Sequence, residues 1–260
     1  MTLDAALAFY ALGTLAALAS LFVTGAKRLQ YAGLLLMIGG FVSHTIWIGT
    51  ICAATGHPPL TNLPETASFV AWVVFAVELV LWLRYRVYAA SFFVYPLVLL
   101  LLTVSAVVGE NFAALDPALR SNLFTTHLLL STLGVAGLLI GLAFGLLALI
   151  QDRALKNKRP GRLWEWIPSL DVCKNVSFRA LAIGFSVYTV GLIAGVLWSY
   201  RTTAGFMDLR AKQIGAVTAW VLFGILLQSY ISNTYRRKRM LLVSAGAFIA
   251  IIVAMLGIRG

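Results

Sequence analysis

The chain has 260 residues, 61% of them hydrophobic and only 11% charged, with a formal net charge of +11. A soluble domain carries about 25% charged residues, so this composition, with a mean hydropathy of +0.92, excludes a soluble globular enzyme and indicates an integral membrane protein. Nucleic acid is not an expected partner of the positive charge, because no nucleic-acid fold motif accompanies it.

Apolar stretches long enough to cross a bilayer, about 20 residues each, recur eight times, at 4–24, 31–54, 68–86, 88–108, 123–150, 178–199, 213–233 and 240–258. Their lengths and the lack of period-2 alternation predict helices rather than a barrel. The expected fold is all-α, a polytopic membrane bundle of about eight transmembrane helices forming one domain over 1–260. Of the twenty Lys and Arg residues, fifteen fall on one side: Lys27, Arg28, Arg84, Arg86, seven from Arg153 to Arg179, and Arg236 to Arg239. Arg120, Arg201, Arg210, Lys212 and Arg259 fall on the other. The positive-inside rule makes the first side cytoplasmic and puts both termini outside the cytoplasm. Membrane lipids with anionic headgroups are the expected partner of the inner side. Asp4 precedes the first span where a signal peptide would be basic, and no A-x-A-like site closes that span, so no cleavable signal is expected. Cys52 and Cys173 fall at opposite membrane faces and are expected to be free.

His44, His57 and His127 are the only histidines. The charge pattern places His57 and His127 at the outer face. His44 lies about ten residues, or ~15 Å, below the outer end of the second span. Imidazoles in or near membrane spans are candidate heme or metal ligands, but a lone histidine on an apolar helix also serves as a satisfied residue bonded to a neighbouring helix. Both readings stand for His44, and His57 reads equally as a solvated loop residue. Three prolines stiffen the turn that follows, Gly56-His57-Pro58-Pro59-Leu60-Thr61-Asn62-Leu63-Pro64-Glu65, and Glu65 suits the positive end of the next helix. Glu78, ten residues past Ser68, is the lone carboxylate inside a span. Its expected depth matches that of His44 on the adjoining helix, so the two are expected to pair, directly or through water. The alternative is a protonated Glu78 bonded elsewhere in the bundle.

The fifth span carries Gly134, Gly137, Gly141 and Gly145, whose small-xxx-small spacing lets helices approach closely. The 152–177 connection is basic up to Arg162. It then turns amphipathic at Leu163–Pro168, where Trp164 and Trp166 suit the cytoplasmic headgroup layer. It separates five spans from three. Outside the cytoplasm, Arg201, Arg210 and Lys212 form a cationic group that could meet carboxylates of a ligand or of Glu110 and Asp116. No Cys-x-x-Cys, H-E-x-x-H, phosphate-binding loop or dinucleotide fingerprint is present.

The segment from Pro59 and Leu60 through Asn62, Leu63 and Glu65 to Phe69 and Trp72 resembles the P-L-x-N-L-x-E-x-x-x-F-x-x-W pattern of the heme-handling cytochrome c assembly proteins, the CcsA and HemX group. Pro168-Ser169-Leu170-Asp171, with Arg179, Gly184, Phe185, Thr189, Gly191, Gly195 and Trp198, is similar to that family's approach to its central span. Asp208, Lys212, Thr218, Trp220 and Gln228 resemble the region after its tryptophan-rich loop. The resemblance covers roughly residues 40–258.

It implies heme b as cofactor, apocytochrome c and other cytochrome c assembly subunits as partners, and a cell (inner) membrane location. It further implies that His127 flanks the outer heme loop as a ligand and that His44 is an in-membrane ligand. Trp198, Arg201, Asp208 and His57 would contact the cofactor, with Glu78, Glu65 and Gln228 behind them. The departures are specific. The loop from Trp198 to Asp208 keeps one tryptophan and the aspartate but lacks the dense tryptophan cluster. Gln228 stands where the family often has a second in-membrane histidine, and no outer histidine follows the eighth span. These differences favour a HemX-like or divergent subunit over a complete synthetase. The expected function is heme handling or export for covalent attachment to apocytochrome c, as part of a heme lyase complex if it is catalytic. The alternative is a heme-free assembly or regulatory subunit with structural histidines. A permease ranks third, lacking broken helices or inverted repeats.

Overall fold

The computed structural model describes residues 3–23, 26–60, 62–85, 90–108, 121–157, 169–203, 211–232 and 237–256. They form helices α1 (Leu3–Ala19), α2 (Lys27–Thr55), α3 (Leu63–Tyr85), α4 (Ser91–Val108), α5 (Asn122–Lys156), α6 (Leu170–Thr203), α7 (Ala211–Ile231) and α8 (Arg237–Leu256). Each of the eight apolar stretches is a helix, and no strand occurs among the described residues. Six of them, α2 to α7, are long and apolar enough to cross a bilayer, while α1 and the Leu242–Ala254 part of α8 are shorter apolar helices. The protein is a multi-pass membrane helical bundle.

Two helices exceed the expectation. α5 has 35 residues and α6 has 34, or ~50 Å each at 1.5 Å per residue, against ~30 Å of hydrocarbon. Both run past their apolar stretches on the basic side, so the connection expected at 152–177 narrows to 157–169. Lys156 binds Asp152 at 2.8 Å in an i,i+4 pair that suits a continuing helix. Asp171 lies in the first turn of α6, where the dipole favours it. The amphipathic segment 163–168 lies outside the described residues.

The helices pair most extensively as α5 with α6, followed by α1 with α2, α7 with α8 and α3 with α4. α1 also packs on α4, and α3 packs on α5. The grouping is therefore four and four, not the five and three that the long basic connection suggested. Glycine chemistry explains it, because the best seam in the protein spans that connection. A Cβ on Gly134 would lie 2.6 Å from the Tyr188 backbone, on Gly137 2.9 Å from Gly184 Cα, and on Gly141 2.7 Å from Leu181 Cγ. Reciprocally, a Cβ on Gly191 would meet Ser131 N at 2.7 Å. In a bilayer, helix association relies on such van der Waals contact and interhelical hydrogen bonds, since lipid is as apolar as leucine. At the inner end of the seam the Ser177 hydroxyl donates to Gly141 O at 2.7 Å, and the Tyr230 hydroxyl of α7 lies 2.8 Å from Ser177 Oγ.

A Gly184→Ala substitution places its Cβ 2.8 Å from Leu138 N, a backbone atom that cannot turn aside. The expected cost is ~1–3 kcal/mol, as for overpacked cores, read as a lower Tm in detergent micelles. Gly49→Ala meets nothing within 4 Å and should leave Tm unchanged or slightly raised by helix propensity.

Candidate functional site

The α5–α6 seam carries its register to the outer membrane face and there brings two of the sequence-selected residues together. The Trp198 ring of α6 packs on Phe124 of α5 with centroids 4.8 Å apart. One turn further in, the His127 ring lies against Gly195, where a Cβ would sit 2.6 Å from ring atoms Cε1 and Nδ1. His127 Nδ1 is 2.7 Å from Gly191 O and 3.3 Å from Ser131 Oγ. A carbonyl only accepts, so Nδ1 carries the hydrogen and Nε2 is the lone-pair nitrogen of the neutral ring. An Nδ1–H bond to a backbone carbonyl is the usual way a protein orients a metal-binding imidazole. α5 begins here because Ser121 caps it, accepting from Phe124 N at 3.1 Å. Arg201, one turn beyond Trp198, is exposed. Asp208 and Arg210 lie outside the described residues, as do Glu110 and Asp116.

His57 occupies the outer turn between α2 and α3. α2 ends on Gly56, which takes φ 74° and donates its N–H to Cys52 O at 2.9 Å, a left-handed cap suited to glycine. α3 starts with a reciprocal cap: Glu65 N donates to Asn62 Oδ1 and Asn62 Nδ2 donates to Glu65 Oε1, both at 2.9 Å. Glu65 is buried, and these bonds give it the capping role. Between the two caps, His57 Nδ1 lies 3.0 Å from Pro58 O, so this ring also carries its hydrogen on Nδ1. Its Nε2 is buried and has no hydrogen-bond partner among the described residues. A lone-pair nitrogen left buried in this way fits a metal ligand, as the chemistry of a heme axial position requires.

His44 is built differently. It is fully buried on α2, with Nε2 2.7 Å from Ser68 Oγ of α3 and Nδ1 3.5 Å from the Tyr10 hydroxyl of α1. The Tyr10 ring reaches it by lying on Gly40, where a Cβ would meet Tyr10 Cδ1 at 2.7 Å. Trp47 closes a further side, with ring centroids 5.8 Å apart. A ligand at Nε2 would have to displace Ser68. The packing is that of a histidine satisfied by neighbouring helices.

The expected pairing of Glu78 with His44 does not occur. Glu78 Oε1 accepts from Ser91 Oγ of α4 at 3.2 Å. His44 is level with Ser68, ten residues away along α3, a rise of ~15 Å. The helix start explains the error: α3 begins at Leu63 rather than at 68, which moves Glu78 toward its inner end. Gln228 is exposed near the inner end of α7 and lines an open groove of ≈430 Å³ with Phe185 and Trp220. Tyr10, Ser68 and Gly40 were not singled out from sequence. A hydroxyl or a glycine in an apolar helix carries no local sign of which ring it serves.

The family model for "Cytochrome C assembly protein" matches residues 60–260. The chain is 25% identical over 252 residues to the "Cytochrome c biogenesis protein CcsA" of Guillardia theta, covering 90% of this chain and 84% of that protein. It is 26% identical to the protein of the same name from Synechococcus sp. (strain CC9902), covering 79% and 76%. The corresponding protein of Prochlorococcus marinus (strain MIT 9301) is 25% identical, covering 79% and 74%.

Ser68→Ala leaves Nε2 of the buried His44 ring without its partner, and the expected loss is ~1–3 kcal/mol. Tyr10→Phe removes a contact at the 3.5 Å limit of a hydrogen bond and should cost less than Ser68→Ala. Unfolding of the two variants in the same detergent compares them, and an equal or reversed order contradicts the assignment of Ser68 as the principal partner.

Proposed function

Because the chain belongs to the cytochrome c assembly protein family, we propose that it is a membrane subunit of cytochrome c biogenesis that holds heme b at the extracytoplasmic face. In this reading all of 1–260 acts as one domain in the cell (inner) membrane, alongside other assembly subunits, and apocytochrome c is the acceptor. The observation that carries it is His127. Its Nδ1–H is fixed to Gly191 O at 2.7 Å, so the ring presents Nε2 as the nitrogen that can bind iron. His57, with its buried and unpartnered Nε2, is the second candidate ligand at the same face.

Bound there, heme supplies the vinyl groups to which apocytochrome c cysteines are joined. The chain's own part is binding and orientation. His127 offers a lone pair in one fixed tautomer. Gly195 admits the ring to the seam, and Trp198, held on Phe124, gives an aromatic surface at the same level. Arg201 is exposed one turn outward, placed for a carboxylate such as a propionate. Thioether chemistry would be shared with partner subunits.

A second reading, a heme-free assembly or regulatory subunit with structural histidines, is favoured by His44. That ring is fully buried, with a hydroxyl near each nitrogen. The two readings divide the histidines: outer ones as ligands, His44 as a helix tie.

Absorbance of the full chain purified from heme-replete cells separates them. A Soret band is expected, lost in His127→Ala and regained with added imidazole. His44→Ala should lower Tm while keeping the band. Gly195→Ala, which crowds the ring at 2.6 Å, should weaken heme retention by roughly 10–100-fold, as other losses of ligand orientation do. Heme-free protein, with His127→Ala still supporting cytochrome c maturation, would overturn the heme reading and leave the second.

A further inference from the structure

We propose that Glu78 is a proton-exchange site on the cytoplasmic side of the bundle, where its carboxyl passes a proton to and from water. Glu78 is 2% exposed. Oε1 accepts from Ser91, while Oε2 is buried and has no hydrogen-bond partner among the described residues. Ser91 is the first residue of α4, and Glu78 lies seven residues before the end of α3, a rise of ~10 Å. The carboxyl is therefore near the basic, inner end of the bundle and not at its centre.

Three other buried side-chain oxygens lack a partner among the described residues in the same inner layer: Thr14 Oγ1, Gln30 Oε1 and Gln151 Oε1. Each lies within about two turns of the inner end of its helix. They come from α1, α2 and α5, so with Glu78 four helices contribute one unpartnered oxygen each. Sealing such groups in hydrocarbon without a partner is unfavourable. Water entering from the headgroup layer satisfies them, as buried water usually does for polar groups. A carboxyl serving only to tie α3 to α4 would engage both oxygens. Here one is tied and the other has no partner among the described residues.

Among the described residues no ion pair involves Glu78, and Arg84, six residues further along α3, is exposed. Around α3, α2 begins with Lys27 and Arg28, and α5 ends with Asp152, Arg153 and Lys156, of which Asp152 and Lys156 bind each other. α4 contributes Ser91 and Tyr95, whose ring packs on Phe75. The side chains described in α8, at Leu242–Ala254, include no titratable group. Ser91 is the sole partner of Glu78 among the described residues. An unpaired carboxylate in this setting is strongly disfavoured, so the resting form is the neutral acid. In the exchange step the Oε2–H bond breaks, the proton passes to water and the electron pair stays on the carboxylate. Ser91 donates to Oε1 in both forms, and return of the proton restores the acid. No oxidant or reductant takes part, and the step is independent of heme.

Infrared spectra of the full chain in detergent micelles test this, taken for native protein and E78Q in H₂O and in D₂O. The native chain should show the carbonyl band of a protonated carboxylic acid, absent from E78Q and shifted to lower frequency in D₂O as the acid exchanges. S91A keeps the carboxyl but removes its donor. It should move the band to higher frequency and leave the exchange intact, which decides the matter even if E78Q does not fold. A native spectrum without the acid band means that Glu78 is charged and overturns the proposal. A band that does not shift in D₂O identifies a sealed structural acid and overturns it as well.

Discussion

The closest helix contact in the protein is the glycine seam between α5 and α6, and most of what can be argued about the outer face depends on it. Phe124 meets Trp198, His127 meets Gly195, Ser131 meets Gly191, Gly134 meets Tyr188, and Gly137 meets Gly184. The sequence is antiparallel and keeps one register from the outer face to the middle of the bundle. Backbone atoms, not side chains, set that register, because at Gly134, Gly137 and Gly184 the opposing atoms closest to a would-be Cβ are main-chain ones. A side-chain interface can shift rotamers to absorb an error, whereas a backbone contact slides or separates. The position of His127 is therefore inherited from contacts two and three turns away.

The same device recurs between α1 and α2. Gly13 lies against Gly33 and Met37, and Gly40 against Tyr10. In both seams a glycine removes a side chain so that a ring can lie flat on a helix backbone, and the polar end of that ring then reaches a specific partner. The outcomes differ because of what the partner is. Gly191 offers a carbonyl, which can only accept, and so fixes a tautomer at His127. Tyr10 and Ser68 offer hydroxyls, which donate or accept as needed, and so adapt to either tautomer of His44. One environment fixes which nitrogen carries the hydrogen; the other accommodates either tautomer.

Composition and hydropathy made the fold class legible: each apolar run proved to be a helix, and the glycine spacing of α5 marked a close contact. Helix ends were less visible. α3 gains a turn at Leu63 because Asn62 and Glu65 form a reciprocal cap, and that shift moved Glu78 out of reach of His44. α5 and α6 continue into the basic connection because charged residues are good helix formers once outside the lipid, which a hydropathy profile reads as loop. The division into four and four was hidden for a related reason. Which helix a glycine faces is decided by its neighbours in space, and the basic sequence between Gly145 and Ser177 looks like a boundary although the helices on either side of it pair. The resemblance in the turn and span motifs pointed to the family, and the family model covers that region. The roles of single histidines needed their partners.

Polar groups are also arranged by depth. At the outer face the notable side chains are histidines held through Nδ1 to carbonyls, as in His127 and His57. Toward the middle, His44 is enclosed by hydroxyls and aromatic rings. Near the inner end, buried oxygens without a partner among the described residues sit on Thr14, Gln30, Glu78 and Gln151. Imidazole nitrogens suit a borderline metal such as iron, whereas hydroxyl, amide and carboxyl oxygens suit water and protons. Between them, Tyr10, Phe75 and Met37 are fully buried in the core of α1 to α4. α3 passes through all three depths, bearing Glu78, Ser68 and the cap beside His57.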